Sequence, residues 1–480
     1  MQLGELVDAA GLAESGLLKG LVGDISVDVS NVVIDSRRAG AGSMFACIPG
    51  RIVDGHTFGV EAVSNGATAI LAERRIDVEV SQVIVESVRR ALGPISDIVW
   101  GRPSSHLTVA GVTGTNGKTT ACAMLRAIFD QNGWRATAIG TLTQARTTPE
   151  APELQALLAD WEQSGGVAVA MEVSSHALEQ HRCDSIRFAA GVFLNLTPEH
   201  LDYHGDMSSY FNAKARLFEP GRVGVAIVNR DDLWGRRLSE SLLERGSQVV
   251  TFSIDEAIDL ELTSAGSSFV WEGQKVTIRL GGRFNVMNAL AAATCAKALG
   301  VPVGVVAEGL SALQGVPGRF ELIDLGQPFS VIVDYAHTPD GLTAVLTAAR
   351  QICEGRLVVV FGAGGDRDRA KRPLMGVAAS RLADLLIVTS DNPRSEDPEA
   401  IVADVLAGVS DAGGSALSQL DRAEAIATAL ATAQAGDVVV IAGKGHEKYQ
   451  EVAGRLAAFD DVAVAKEALA RILSTRHGQP

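Results

Sequence analysis

One segment constrains this chain more than any other. Leu107-Thr108-Val109-Ala110-Gly111-Val112 is a short apolar run, followed by Thr113-Gly114-Thr115-Asn116-Gly117-Lys118-Thr119-Thr120 and then by a helix-like stretch that stops at Gly133. The run reads as a strand buried on both faces, and the stretch after it as a helix closed by glycine. Between them, glycines let backbone N–H groups converge on an anion. The start of the helix adds its partial positive charge. Lys118 brings a mobile full charge, and Thr119 a hydroxyl suited to Mg²⁺. The strict phosphate-loop spacing is broken, because Val112 stands at its first glycine position. The core from Gly114 to Thr120 remains, and it predicts ATP or GTP binding without choosing among kinase, motor, GTPase and ligase.

Similar apolar runs recur at 167–173, 189–196, 223–229, 330–336, 356–364, 384–392 and 437–445, with helical stretches between them. Strand–helix alternation predicts parallel sheets covered on both faces. The first hundred residues instead mix short strands and turns, in VDVSNVVIDSRR, SMFACIPG and ATAILAE. The breaker-rich Trp100-Gly101-Arg102-Pro103-Ser104-Ser105 reads as a linker. At 480 residues, about three domains are expected. The blocks are 1–103, a smaller α+β unit, then 104–317 and 318–480, two α/β units. In both α/β blocks the unusual polar residues stand where apolar runs end, the edge at which parallel sheets bind ligands.

With 42 Lys+Arg against 57 Asp+Glu, the net charge is −15. That balance argues against nucleic acid or an anionic membrane as partner. The five cysteines, Cys47, Cys122, Cys183, Cys295 and Cys353, are scattered and form no CxxC; they read as buried thiols in a reducing compartment. Glu5 and Asp8 stand where a leader would be basic and apolar, and no apolar run nears the roughly 20 residues of a membrane helix. A cytoplasmic protein is expected.

Glu172 ends the run VAVAMEV, where a phosphate-loop fold holds Mg²⁺ directly or through water. His176, His181, His200 and His204 lie within thirty residues, although the chain has only nine histidines. None of these pairs matches HExxH and no cysteine pair assists, so a supporting role at a Mg²⁺ and phosphate site suits them better than zinc. In SSYFNAKARLF, Tyr210, Phe211, Leu217 and Phe218 share a helix face with Lys214. A lysine in an apolar stripe must snorkel, pair or change its chemistry. One such change is reaction of a neutral amine with CO₂ to give a carbamate, an anion able to bind a metal.

Taken together, GTNGKTT, MEVSSHALEQHR, NLTPEHLDYHGDM with SYFNAKARLF, GRFNVMNALAA, GRFE, VDYAHTPDGL, FGAGGDRDRAKRPLM, SDNPRSEDP and AGKGHEKYQ resemble the Mur ligases, over about Ser36 to Gln450. The resemblance implies three domains: an N-terminal UDP-substrate-binding domain, a central P-loop ATPase and a C-terminal Rossmann-like domain that receives an amino acid. It implies ATP, two Mg²⁺ ions and a carbamylated Lys214 as cofactors. Gly114, Thr115, Asn116, Gly117, Lys118, Thr119, Thr120, Asn288, Arg319, Asp334 and His337 match ATP positions. Lys118, Glu172, His200 and Lys214 match catalytic ones, with Thr119, Glu172, His200 and the carbamate on the metal. Ser36, Thr147, Thr148, Ser174, Gln180 and Arg182 match residues that hold UDP-N-acetylmuramoyl-L-Ala-D-Glu. The uridine loop at Arg51-Ile52-Val53 departs from the pattern and is left unassigned.

Asp391-Asn392-Pro393-Arg394 resembles the version in ligases that add meso-diaminopimelate, and Arg367, Gly443 and Glu447 match the other amino-acid contacts. Arg394 suits that substrate, because a guanidinium grips a distal carboxylate with two parallel hydrogen bonds and repels the ammonium of L-lysine. The expectation is a monomeric enzyme of peptidoglycan synthesis that makes an amide through an acyl phosphate. The alternatives are the lysine-adding relative, the neighbouring D-Glu-adding or folylpolyglutamate ligases, and a P-loop ATPase that switches a partner without ligation.

Overall fold

Strands form at all eight apolar runs of the two α/β blocks, each four to seven residues long. The computed structural model describes residues 1–50 and 53–477, so Arg51 and Ile52 of the unassigned loop lie outside the described residues. The first unit carries β1 (Leu18–Val22), β2 (Asn31–Val33), β3 (Ser43–Ala46), β4 (Ala69–Ala72) and β5 (Ser81–Val85) in the order β1-β5-β4-β3-β2. Only the β1–β5 pair is antiparallel. Of VDVSNVVIDSRR, just Asn31–Val33 is strand; Ser36–Arg38 is a 3₁₀ turn capped by the Asp35 carboxylate.

The second unit is built on β6 (Thr108–Thr113), β7 (Ala136–Ile139), β8 (Ala168–Glu172), β9 (Phe188–Phe193), β10 (Val223–Asn229) and β11 (Val249–Phe252), ordered β11-β10-β9-β6-β8-β7 and parallel throughout. Alternate residues go to opposite faces. Ala110, Val112, Ala168 and Ala170 join the core under helices Lys118–Gln131 and Arg283–Ala298, while Val109, Val169 and Met171 join the core on the other side. Both faces are covered, which is why these strands read as continuous apolar runs.

A second sheet in this unit was not visible as strands: β12 (Ile258–Thr263), β13 (Gly266–Trp271) and β14 (Gln274–Ile278), antiparallel. Phe269, Trp271, Val276 and Ile278 pack it into the same core as helix Arg283–Ala298.

The third unit has β15 (Glu321–Ile323), β16 (Ser330–Asp334), β17 (Leu357–Phe361), β18 (Leu385–Val388), β19 (Leu417–Ser418) and β20 (Val438–Ala442), in the order β15-β16-β20-β17-β18-β19. All pairs but β15–β16 are parallel. A hairpin of β21 (Tyr449–Val452) and β22 (Arg455–Ala458) follows.

The segment Trp100–Ser105 joins the first unit to the second with its Pro103 and Ser104 packed inward. Arg102 is left-handed (φ 57°), Pro103 and Ser104 are buried, and Ser104 Oγ accepts from Arg187 N at 3.1 Å. Cys47, Cys122, Cys183 and Cys295 are buried free thiols, whereas Cys353 is half-buried. Among the described residues no helix is long and apolar enough to cross a membrane.

Candidate active site

In a parallel sheet every strand delivers its carboxyl end to the same edge. In the second unit that edge carries the loop after β6, Glu172 at the tip of β8, the segment after β9 and Asn229 at the tip of β10. In the third it carries Asp334 at the tip of β16, the glycine-rich segment after β17, Asp391 after β18 and Gly443 after β20. The two edges face each other across a cleft of about 530 Å³. From the second unit Thr115–Thr120, Thr147, Glu172, His200 and Asn288 line it; Arg319, Asp334, His337 and Arg367 line it from the third.

The phosphate loop is held rigidly. Asn116 N donates to Asn195 Oδ1 at 2.9 Å, Asn195 Nδ2 returns a bond to Asn116 O, and Thr115 Oγ1 accepts from Thr197 N at 3.0 Å. Gly117 is left-handed (φ 91°), and a Cβ there would stand 2.2 Å from Asn288 Oδ1, so only glycine lets the loop pass this helix. Lys118 Nζ donates to the carbonyls of Gly114 and Thr115 at 2.9 and 2.8 Å. Burial pushes its amine below the usual lysine range, against the pull of Glu172 and Glu199. Arg319 reaches across from the third unit, its Nη2 donating to Thr119 Oγ1 at 3.1 Å while its guanidinium covers the Tyr335 ring. Arg319 Nε is buried with no partner, the mark of a donor awaiting an acceptor.

Glu172 accepts from Thr141 N at 2.8 Å and from Thr141 Oγ1 at 3.3 Å. Glu199, which the sequence reading passed over as the neighbour of a histidine, also lines the cleft. Its carboxylate lies 3.5 Å from His337 Nε2 and 3.8 Å from His200 Nε2. Burial raises its pKa, but the contact with His337 and the charges of His200 and Lys118 hold it well below the carboxylate range. Burial pushes His200 down to about 4, partly countered by Glu199, so its imidazole is neutral at neutral pH. His176 packs against His200 edge-on at 4.7 Å and against Tyr203 at 4.2 Å, and burial lowers it to about 4. His204 Nε2 is 3.0 Å from Ser175 Oγ.

Thr119, Glu172, Glu199 and His200 offer mostly hard oxygen donors, which fits Mg²⁺. Among the described residues no three His, Cys, Asp or Glu side chains are grouped to hold a metal alone. A cation here would need further ligands, such as phosphate oxygens and water.

Lys214 does not snorkel. It is 1% exposed, and its Nζ donates to Gly114 O at 2.8 Å and sits 4.7 Å from the centre of the Tyr210 ring. Burial, with Lys118 adding, drives its amine well below the lysine range, which favours the neutral nucleophile.

Beside the cleft, Thr148 Oγ1 donates to Glu172 O at 2.9 Å and accepts from Ser174 N, and Ser174 caps helix Ser175–Glu179. Arg182 donates to Thr148 O and to Gln180 Oε1, and it pairs with the buried Glu150 at 3.0 Å. Glu150 also pairs with Arg146 and with Arg89 of the first unit. Ser36 stands apart in the first unit, donating to Glu61. Asn288 bonds Asn285, and both oxygens of buried Asp334 accept backbone N–H groups, from Phe320 and Ala336.

The remaining expected residues form a second cluster, on the third sheet only. Arg394 is left-handed (φ 54°); its Nη1 donates to Gly365 O at 2.6 Å, and its Nε lies 3.5 Å from Glu451. A Cβ on Gly364 would stand 3.1 Å from Arg394 Nη1 and 3.9 Å from Arg367 Cγ, so the two arginines flank one surface and link this cluster to the cleft. Asn392 Nδ2 donates to Glu447 Oε2 at 2.8 Å, and Gly443 adjoins Asp391. Lys444, fully buried among them, was missed because a lysine between glycines reads as solvated.

Three family models match the chain: Mur ligase family, catalytic domain, at residues 28–97; Mur ligase middle domain at 112–296; and Mur ligase, glutamate ligase domain, at 318–445. The chain is 44% identical to a UDP-N-acetylmuramoyl-L-alanyl-D-glutamate--2,6-diaminopimelate ligase of Geobacillus kaustophilus, over 92% of this chain and 95% of the relative. It is 42% identical to one of Syntrophomonas wolfei, over 93% and 96%. A solved structure of a ligase with that name superposes with a TM-score of 0.69 at 34% identity, covering 98% of this chain and 99% of the other. Three matched models, full-length relatives and a shared architecture together place this chain in the Mur ligase family.

Proposed function

We propose that this chain is an ATP-dependent amide ligase. It joins meso-diaminopimelate to the D-glutamyl γ-carboxylate of UDP-N-acetylmuramoyl-L-alanyl-D-glutamate, in the cytoplasm, where ATP and nucleotide sugars are available. One observation carries the reading. The phosphate loop of the second unit and Arg367 of the third line the same cleft, so a phosphorylated acid and an incoming amine can meet.

A carboxylate does not condense with an amine at neutral pH, because it is a poor electrophile. Its oxygen therefore attacks the γ-phosphorus of ATP, the bond to the β–γ bridging oxygen breaks, and ADP leaves with the electron pair. The neutral amine nitrogen attacks the carbonyl carbon of the acyl phosphate. The tetrahedral intermediate expels phosphate with the C–O electron pair, and the nitrogen loses its proton to phosphate or water.

The protein's share is positioning and charge neutralisation. The loop from Gly114 to Thr120, with Lys118 and Arg319, holds the phosphates; Asn288, Asp334 and His337 lie toward the adenosine. Thr119, Glu172, His200 and a carbamate on Lys214 would hold Mg²⁺, which would offset the repulsion between carboxylate and triphosphate. Ser36, Thr147, Thr148, Ser174, Gln180 and Arg182 hold the nucleotide-sugar dipeptide. Arg367 and Arg394 take the distal carboxylate of the diamino acid, and Glu447 its distal ammonium.

Two measurements test this. With an ¹⁸O-labelled γ-carboxylate, label is expected in the released phosphate; label retained wholly in the peptide rules out the acyl phosphate. Supplied with meso-diaminopimelate, L-lysine or L-ornithine, the enzyme is expected to ligate the first. Preference for L-lysine, or phosphate release with ATP alone, overturns the assignment.

A further inference from the structure

Lys444 follows β20 and has no exposed surface. Its Nζ lies 3.0 Å from Asn392 Oδ1, 3.2 Å from Glu447 Oε2 and 3.5 Å from Asp391 Oδ1. Asp391 and Asn392 belong to the segment after β18, which β17 separates from β20. One lysine thus ties together loops from two strands that are not neighbours. Burying such a group is costly unless its charge is matched, and two carboxylates face it here.

The hydrogen bonds of Asn392 can be accounted for atom by atom. A side-chain amide has an oxygen with two lone pairs and two N–H donors. Oδ1 accepts from Lys444 Nζ and from Glu451 N at 2.9 Å; Nδ2 donates to Glu447 Oε2 at 2.8 Å. Two donors converging on one atom fix which end is oxygen. Three of the four bonding positions are therefore used inside the protein, and little of Asn392 remains to read a substrate.

We infer that Lys444 and Asn392 are positioning residues: a buried strut that aims the Glu447 carboxylate at the distal ammonium of the diamino acid and leaves the reading of that substrate to Arg367, Arg394 and Glu447. This rests on the amino-acid site proposed above. Lys444 against Asp391 and Glu447 leaves one net negative charge, which matches one ammonium. Without Lys444 the two carboxylates repel each other and Glu447 turns away.

The test is a double-mutant cycle on the full-length enzyme, reading KM for each of the three substrates. Lys444→Met and Asn392→Ala are each expected to raise the KM for meso-diaminopimelate about tenfold, with those for ATP and the nucleotide sugar within roughly twofold of wild type. Added to Glu447→Gln, either is expected to cost less than about threefold more, because its target is already lost. Fully multiplicative losses overturn the strut, as do an unchanged KM or an equal shift in all three. Should Lys444→Met not fold, Asn392→Ala with Glu447→Gln closes the same cycle. A wild-type enzyme unable to ligate meso-diaminopimelate defeats the parent reading and the strut with it, whereas a wild type that ligates beside unaltered variants defeats the strut alone.

Discussion

Lys118 and Lys214 donate to one acceptor, the carbonyl oxygen of Gly114, at 2.9 and 2.8 Å. One lysine starts the helix of the phosphate loop, and the other arrives from helix Met207–Ala215, Lys214 lying 96 residues after Lys118. Their meeting point is where the loop needs positive charge and where burial shifts the Lys214 amine toward the neutral form that can react with CO₂. Lys214→Ala is expected to abolish ligation, with short-chain carboxylic acids restoring part of it by standing in for the carbamate. Near-normal ligation by the unrescued variant shows that no carbamate is needed.

Arg394 is held by Gly365 O and Glu451, beside Arg367. Arg394→Ala should raise the KM for meso-diaminopimelate by one to two orders of magnitude, about 1.4–3 kcal/mol. Steady-state kinetics with the amino acid varied provide the check, and an unchanged KM removes Arg394 from the specificity pocket.

Glu150 is the common partner of Arg89, Arg146 and Arg182. Glu150→Gln removes the charge that anchors Arg182 beside Thr148. The expected result is a KM for the nucleotide-sugar substrate raised about tenfold, with that for ATP unaltered. Equal changes in both would mark a general loss of structure instead.

Burial pushes Asp97 up to about 6, only partly offset by the charge of Arg102 and a hydrogen bond from the Gln155 side chain, while its Oδ1 is buried without a partner. The folded state therefore holds a proton that the unfolded chain, with a carboxyl near 3.8, releases earlier. Stability falls as pH rises between these two values, and the loss is complete above the higher one. Asp97→Asn should be more stable than wild type at pH 7 by on the order of 1 kcal/mol, and about as stable as wild type at pH 4. A parallel offset at both pH values contradicts this.

Arg422 and Asp461 form a fully buried bidentate pair, and Arg422 also bonds Ala442 O at the end of β20. Asp461→Ala leaves that guanidinium uncompensated and should cost about 3–5 kcal/mol. Urea unfolding measures it, and a loss below about 1 kcal/mol contradicts the role.

The apolar runs were readable because both faces of each parallel strand are covered. Antiparallel β12–β14 was not, because its exposed residues are mostly polar (Asp259, Glu261, Thr263, Gln274, Lys275, Thr277) and stand among glycines that resemble turns. The phosphate loop could be read because its chemistry is contiguous. Glu199 and Lys444 could not, since each matters through partners distant in sequence: His337 for one, Asn392 for the other. The sequence pattern also left open whether Lys214 snorkels, because its apolar stripe is the same whether the amine points to solvent or to Gly114.

The common direction of the parallel strands supplies a rule for naturally occurring variants. A change at Val109 or Val359, mid-strand, alters a packed interior and should show as lower abundance or heat tolerance. A change at a residue that lines the cleft past a strand's end, such as Thr115, Lys118 or Arg367, alters a lip of that cleft and should show as slower turnover in a protein of normal yield. A naturally occurring allele could be sorted into one group or the other by whether its residue lies inside a strand or faces the cleft from the loop beyond it.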